Sequence, residues 1–430
     1  MPNSTAQHDT VGIPWTTCLL IGAILGFPVL GYASLAIVAT GGLLELRHGR
    51  QTLAPLWEDR ALRMLLLCGG GLLGMIWLAD AVHPGDVSWA KSLRLAIPVL
   101  VPLLLARQLM AARLTPSVLS NAAMWTVLAC GLAVFVERWI RHGGSGIGAE
   151  PNLGTGSPLL VATMILPAMG LMWIDARRAP HAGVVLRCLA AAVLIAALAS
   201  PLGARAATIT AAVTLPLAMV FLFNRHRVDR HSIVLALASL IVCASLAWAA
   251  IYLAPHVSRV AFDARIADRV STTVQHAMDG DFRHDTNMDA RLDVWQAALD
   301  AGQHRPVFGW GFENERPVLI AHAPDDAVIP TTAHNQYLSF LLGGGVLGLG
   351  VGTLWLCAPL LAAARRTPKR PYLLTAAAIT VPTMMVQLSD TQFDDMRVLC
   401  WYTSMALLVC CIQFGPDDPD HARQENSDVI

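Results

Sequence analysis

Long apolar runs without charged residues constrain this chain more than any other feature. With 55% hydrophobic and 14% charged residues, it is far poorer in charge than an average soluble domain, where about 25% of residues are charged. Most runs approach the roughly 20 apolar residues that an α-helix needs to cross a bilayer. The pattern predicts an all-α polytopic membrane protein of about twelve transmembrane helices, at residues 16–28, 30–45, 61–80, 95–112, 121–137, 158–175, 184–201, 207–223, 232–254, 336–362, 372–388 and 398–414.

The runs also divide the chain into four parts. Residues 1–254 carry nine predicted transmembrane helices, and residues 255–335 form a long segment outside the membrane. Three more helices fill 336–414, and 415–430 form a polar tail. Pro28, flanked by glycines in the first apolar stretch, favours a break and therefore two spans there.

Basic residues set the predicted orientation. With both ends of the chain inside, the inner loops and tail hold seventeen lysines and arginines, and the short outer loops hold six. Because basic residues concentrate in cytoplasmic loops, the long segment 255–335 is expected to face outward. The formal net charge is zero, which argues against nucleic acid as a partner.

Arg205 breaks the charge rule, because it lies at the predicted outer edge of the membrane between two spans with almost no loop. An arginine there costs about 2–3 kcal/mol unless it is paired or hydrated. It either extends its side chain to the interface or lines a polar cavity that accepts an anion.

Two amphipathic helices are predicted in the outer segment. Residues 257–271 carry Phe262, Ile266 and Val270 at helical spacing, and residues 286–302 repeat the pattern with Leu292, Trp295 and Leu299. Such helices either cap the membrane face or simply pack on each other.

Acidic residues recur in the same segment and in the outer loop 390–395. Carboxylates attract divalent cations, but a hydrated acidic face explains the pattern better. No metal or other cofactor is predicted.

A series of motifs links the outer segment to the following span. Arg291, Trp295, Pro306, Gly309 and Gly311 precede "HNQYLSFLLGGGVLGLG", which begins at His334. In this order the series resembles the O-antigen ligase and polymerase superfamily. Within it, the O-antigen ligases of Gram-negative bacteria fit best.

This resemblance implies a fold and a reaction. The fold would be similar to that of C-type membrane glycosyltransferases, with a helical periplasmic loop. The enzyme would be a multi-pass protein of the bacterial inner membrane with its active site facing the periplasm. It would move O-antigen polysaccharide from undecaprenyl diphosphate to the lipid A–core oligosaccharide of lipopolysaccharide, with inversion and without a metal.

The resemblance also assigns residue roles. His334 matches the catalytic outer-loop histidine, and Arg205 and Arg265 match arginines expected to bind the diphosphate. Arg291 is a weaker third diphosphate ligand, with Trp295 and Asn335 in support. A planar guanidinium suits phosphate oxygens, and a neutral imidazole can accept a hydroxyl proton. The competing interpretation of His334 is an ordinary residue at a helix start.

Three rival functions remain open. An O-antigen polymerase or a protein O-oligosaccharyltransferase would use the same donor and the same chemistry. A solute transporter is a more distant alternative, because transporters place ionisable groups near the bilayer midplane, whereas here they gather at the predicted outer face.

Overall fold

The computed structural model describes residues 15–47, 54–82, 89–142, 158–175, 183–191, 286–324, 332–388 and 391–414, except for positions 31, 55, 188, 313, 392 and 394. Within these residues the regular structure is helical, and no strand occurs. The all-α prediction is therefore confirmed for the described part of the chain.

Thirteen α-helices are labelled here among the described residues. The first seven are α1 (Trp15–Leu30), α2 (Tyr32–Leu46), α3 (Arg60–Val82), α4 (Trp89–Leu100), α5 (Ala106–Ala111), α6 (Pro116–His142) and α7 (Pro158–Leu171). The remainder are α8 (Thr286–His304), α9 (Glu315–His322), α10 (Gln336–Leu356), α11 (Ala358–Ala363), α12 (Lys369–Gln387) and α13 (Met396–Cys411).

Three of these helices are long and apolar enough to cross a membrane, judged by length and composition: Arg60–Val82, Pro116–Val134 and Gln336–Leu356. Shorter apolar helices include Tyr32–Glu45 and Met396–Cys411. The predicted runs 207–223 and 232–254 lie outside the described residues. Membrane-helix character is thus established, and the number twelve stays a prediction.

Proline shapes two of the predicted spans. Pro28 lies inside α1 and does not end it, because that helix continues to Leu30 before α2 begins at Tyr32. The predicted pair of helices is present, but its boundary falls after Pro28. The run 95–112 is divided between α4 and α5 by a 3-10 turn, Val101–Leu105, with a proline near its start.

The main core lies between the apolar helices and is filled with large side chains. Trp355, Trp401 and Tyr402 are fully buried within it. Small residues allow helices to approach closely: a Cβ on Gly170 of α7 would lie 2.9 Å from the Ala378 carbonyl oxygen of α12. A Cβ on Gly69 of α3 would lie 2.9 Å from Val99 and 3.3 Å from Trp355. We call the helices that contribute to this core, α1–α7 and α10–α13, the bundle.

A second, smaller core joins α8 and α9 to the beginning of α10. Its buried members are mostly small: Val294, Ala297, Ala298, Ala301, Val318, Leu319, Ala333 and Leu342. We call α8, α9 and the connecting residues 305–314 the cap. The helix predicted at 286–302 is confirmed and ends two residues later, at His304, whereas the helix predicted at 257–271 lies outside the described residues.

Helix α10 is interrupted at Gly345, whose φ of 63° and ψ of −156° are not helical. In a regular helix the Val346 N–H would donate to the Leu342 carbonyl. Here Val346 N–H donates to the Pro306 carbonyl at 2.7 Å, and the Leu342 carbonyl accepts from Trp310 N–H, also at 2.7 Å. The connecting segment of the cap thus replaces a hydrogen bond that the helix has given up.

Glycines make this approach of two backbones possible. A Cβ on Gly309 would lie 2.4 Å from the Leu342 carbonyl oxygen, and one on Gly345 would lie 2.3 Å from the Val307 carbonyl oxygen. Both residues also have a positive φ, which favours glycine. The motif glycines therefore fix how the cap rests on α10.

Candidate functional site

Trp295 connects α8 of the cap to the residue before His334. Its indole Nε1–H donates a hydrogen bond to the Ala333 carbonyl oxygen at 3.0 Å. Trp295 occupies the middle of α8, where the small residues around it form the cap core. The tryptophan of the R-x₃-W motif therefore fixes one side of the Ala333 backbone.

Glu315 fixes the other side of the same residue. Its Oε1 accepts hydrogen bonds from the Ala333 N–H and from the Ser339 hydroxyl, each at 2.7 Å. Glu315 is buried and opens α9, where a negative charge interacts favourably with the helix dipole. Trp295 and Glu315 together bind both polar groups of the Ala333 backbone.

Sequence reasoning did not select Glu315. The available signal was an acidic residue at the start of a helix, directly after the turn that contains Gly309 and Gly311. That signal is weak, because acidic residues are common at helix starts.

His334 follows Ala333 and has an unusual backbone conformation. Its φ is +48°, in the left-handed region that costs a non-glycine residue about 1–2 kcal/mol. Its neighbour Asn335 is the N-cap of α10, accepting hydrogen bonds from Tyr337 N–H at 3.0 Å and Leu338 N–H at 3.3 Å. His334 is half-buried, so part of its side chain stays accessible to solvent.

The start of α10 is also tied to the residues before α13. The Gln336 side-chain oxygen accepts a hydrogen bond from Phe393 N–H at 2.9 Å. Asp395 caps α13 and binds the Arg397 guanidinium, accepting from its Nε at 2.9 Å. Asp395 thus has a structural partner, while Asp390 and Asp394 of the same acidic loop lie outside the described residues.

A small cavity of about 20 Å³ lies beneath this arrangement, with Glu315, Gln336 and Ser339 among apolar side chains in its wall. Such a volume holds about one water molecule. The cavity is therefore too small for a sugar.

Of the three predicted diphosphate ligands, the structure describes only Arg291. Arg291 is half-buried on α8, four residues before Trp295, so the two side chains share a helix face. No hydrogen bond or ion pair joins it to another described residue. Arg205 and Arg265 lie outside the described residues.

Comparison with known families bears on the same region. Residues 190–351 match the family model described as O-antigen ligase. This segment is therefore similar to the O-antigen ligase family. No curated protein matches the chain.

The O-antigen ligase match includes every predicted site residue, from Arg205 to Asn335, and also Glu315. It ends inside α10, shortly after the interruption at Gly345. The hydrogen bonds from Trp295 and Glu315 to the Ala333 backbone therefore lie within the matched segment.

Proposed function

We propose that this protein is an O-antigen ligase of the bacterial inner membrane. It transfers O-antigen polysaccharide from undecaprenyl diphosphate to the lipid A–core oligosaccharide at the periplasmic face, with inversion at the anomeric carbon. Both substrates are lipids, so their reactive ends emerge where a membrane helix begins. His334 lies next to the N-cap residue of such a helix, α10.

One observation carries the proposal: two cap residues converge on the backbone immediately before His334. Trp295 binds the Ala333 carbonyl and Glu315 binds its N–H, while His334 keeps a left-handed conformation. Strained residues persist where their surroundings over-determine them, and they cluster at functional sites. The family match supports a glycosyl-transfer role for the same segment.

The proposed chemistry follows from these side chains. An acceptor-sugar hydroxyl gives its proton to the neutral imidazole of His334 as its oxygen bonds to the anomeric carbon of the donor. The bond from that carbon to the diphosphate oxygen breaks, and undecaprenyl diphosphate leaves. Arg205, Arg265 and Arg291 neutralise the charge that develops on the leaving group, since arginine binds phosphate oxygens in a bidentate manner.

Deletion of the gene, followed by gel electrophoresis of lipopolysaccharide, tests this proposal. Loss of all polysaccharide from lipid A–core, restored by the wild-type gene, is the expected result. A single repeat unit left on lipid A–core would indicate a polymerase. Unchanged lipopolysaccharide together with loss of glycan from protein would indicate a protein O-oligosaccharyltransferase.

We also propose that the transfer step itself needs no metal. Purified protein should ligate a lipid-linked donor in excess chelator at a temperature well below its unfolding midpoint. Activity lost to the chelator and restored by Mg²⁺ would contradict this and direct attention to the loop that contains Asp390, Asp394 and Asp395.

A further inference from the structure

Three potential metal ligands meet where the two cap helices end. Asp300 and His304 lie one turn apart at the C-terminal end of α8, and His322 is the last residue of α9. One ligand atom from each of the three residues lies within 4.8 Å of the other two.

The distances are close to those of a coordination sphere. His322 Nδ1 is hydrogen-bonded to Asp300 Oδ2 at 2.8 Å. His304 Nδ1 lies 4.0 Å from the same oxygen and is hydrogen-bonded to the Asp300 carbonyl oxygen at 2.9 Å. A tetrahedral Zn²⁺ with bonds of about 2.0–2.1 Å separates its ligand atoms by about 3.3 Å. To surround such an ion, the ligand atoms would change their separations, which now reach up to 4.8 Å, by about 0.5–1.5 Å. The hydrogen bonds of the two imidazoles would then be replaced by bonds to the ion.

Two of the three side chains are exposed to solvent, and the third is held by its neighbours. His304 and Asp300 have 59% and 50% of their side chains exposed, so an ion can reach them and they can adjust. His322 is only 15% exposed, and the Trp310 ring meets its edge with centroids 5.7 Å apart. Trp310 is fixed in turn, because its Nε1–H donates to the Ala301 carbonyl at 2.8 Å.

We propose that Asp300, His304 and His322 form a Zn²⁺ site that joins the ends of α8 and α9, with water as the fourth ligand. Two imidazoles and a carboxylate favour zinc over Mg²⁺ or Ca²⁺, which prefer oxygen ligands. The joined helices are those that carry Trp295 and Glu315. The ion therefore stabilises the cap and takes no part in glycosyl transfer, and the proposal stands independently of the proposed function.

The test uses full-length protein in detergent, purified with a tag that contains no histidine and stripped with a chelator. Zn²⁺ binding is measured by competition with a chromophoric chelator, and thermal unfolding is followed with and without Zn²⁺. We expect one Zn²⁺ per chain and an unfolding temperature raised by about 2–4 °C. Mg²⁺ should have no such effect.

Substitutions locate the ion. His304→Ala and Asp300→Asn should each weaken Zn²⁺ binding at least about tenfold and remove the thermal shift. Gln303→Ala, at an exposed neighbouring position on α8, should preserve both. Absence of Zn²⁺ binding by the wild-type protein, or equal binding by all three variants, would overturn the proposal.

A measurement on the wild-type protein alone covers the case in which a variant does not fold. Zn²⁺ should slow amide hydrogen exchange in the last turns of α8 and α9 and leave the last turn of α13 unchanged. Bound Zn²⁺ with no added protection at the ends of α8 and α9 would place the ion elsewhere and refute the assignment.

Discussion

The cap and the bundle use tryptophan in opposite ways. In the bundle, the indole nitrogens of Trp173, Trp355 and Trp401 are buried and have no hydrogen-bond partner among the residues that the structure describes. In the cap, Trp295 and Trp310 both donate to backbone carbonyls, at 3.0 Å and 2.8 Å. Tryptophan therefore fills space in the core of the bundle, whereas in the cap it makes a directional hydrogen bond to the backbone.

This difference follows from what each region must fix. The bundle core is held by large apolar side chains, and such packing is tolerant of substitutions that keep the volume similar. The cap core is built mostly from alanines and valines, which offer little area to bury. Hydrogen bonds, which depend on direction as well as distance, then decide where the backbone of Ala333 lies.

Replacing His334 should produce the largest effect. His334→Ala should lose about 10²–10⁴-fold in transfer rate, the range expected for a missing general base, while the protein still folds. An assay with a lipid-linked donor and purified lipid A–core measures the rate, and thermal unfolding in detergent monitors folding. Full activity of His334→Ala would leave the residue with no more than a structural role at the helix start.

His334→Gln separates proton transfer from positioning, because glutamine can hydrogen-bond a hydroxyl but cannot take its proton. We expect it to be nearly as inactive as His334→Ala. Substantial activity would mean that His334 orients the acceptor and that the proton leaves by another route.

The proposed diphosphate ligands come next in size of effect. Arg265→Ala and Arg205→Ala should each remove most transfer, and Lys should restore only part of it, because a point charge lacks the bidentate geometry of the guanidinium. Arg269→Ala, four residues after Arg265 in the sequence, is the matched control. Equal loss in Arg265→Ala and Arg269→Ala would indicate a general effect of positive charge and not a specific ligand.

The contrast between tryptophans can be tested directly. Trp295→Phe removes the hydrogen bond to Ala333 and should lower transfer about tenfold to a hundredfold through misplacement of His334, with a stability loss of about 1 kcal/mol. Trp355→Phe loses no hydrogen bond among described residues and should cost about 1–2 kcal/mol by leaving a cavity. Its transfer rate per folded molecule should stay near wild type.

The opposite result for these two variants would contradict the proposed difference between the cap and the bundle. If Trp355→Phe slowed transfer and Trp295→Phe did not, the position of His334 would depend on bundle packing and not on the cap. Both rates should be divided by the folded fraction from size-exclusion chromatography, so that stability and activity are compared separately.

The smallest expected effect concerns backbone strain. His334 and Arg113 both have a φ of +48°, so at each position Gly should be more stable than Ala by about 1 kcal/mol. Thermal unfolding of the four single variants measures this. Transfer should be lost in both variants at 334 and kept in both at 113. Equal stability of the Gly and Ala variants at 334 would mean that His334 does not hold the left-handed conformation.

A structural feature could be predicted from the sequence when it depends on residues that are close together along the chain. The spacing of apolar residues was sufficient to predict α8, and the long apolar runs were sufficient to predict α3, α6 and α10. The role of Glu315 was not predictable, because its partner is a backbone N–H eighteen residues away in sequence. The interruption at Gly345 was missed for the same reason: a glycine-rich run predicts close packing, but not which segment approaches it.

The interruption of α10 also has a consequence for how the protein is made. Segment 306–311 precedes residues 342–346 in the chain and is therefore synthesised first. When α10 enters the membrane, the groups that bind Val346 N–H and the Leu342 carbonyl already exist. Unpaired backbone groups cost several kcal/mol each in an apolar medium, so a fragment that begins after residue 311 would insert this span poorly. The order of the two segments along the chain thus helps to make an interrupted span insertable.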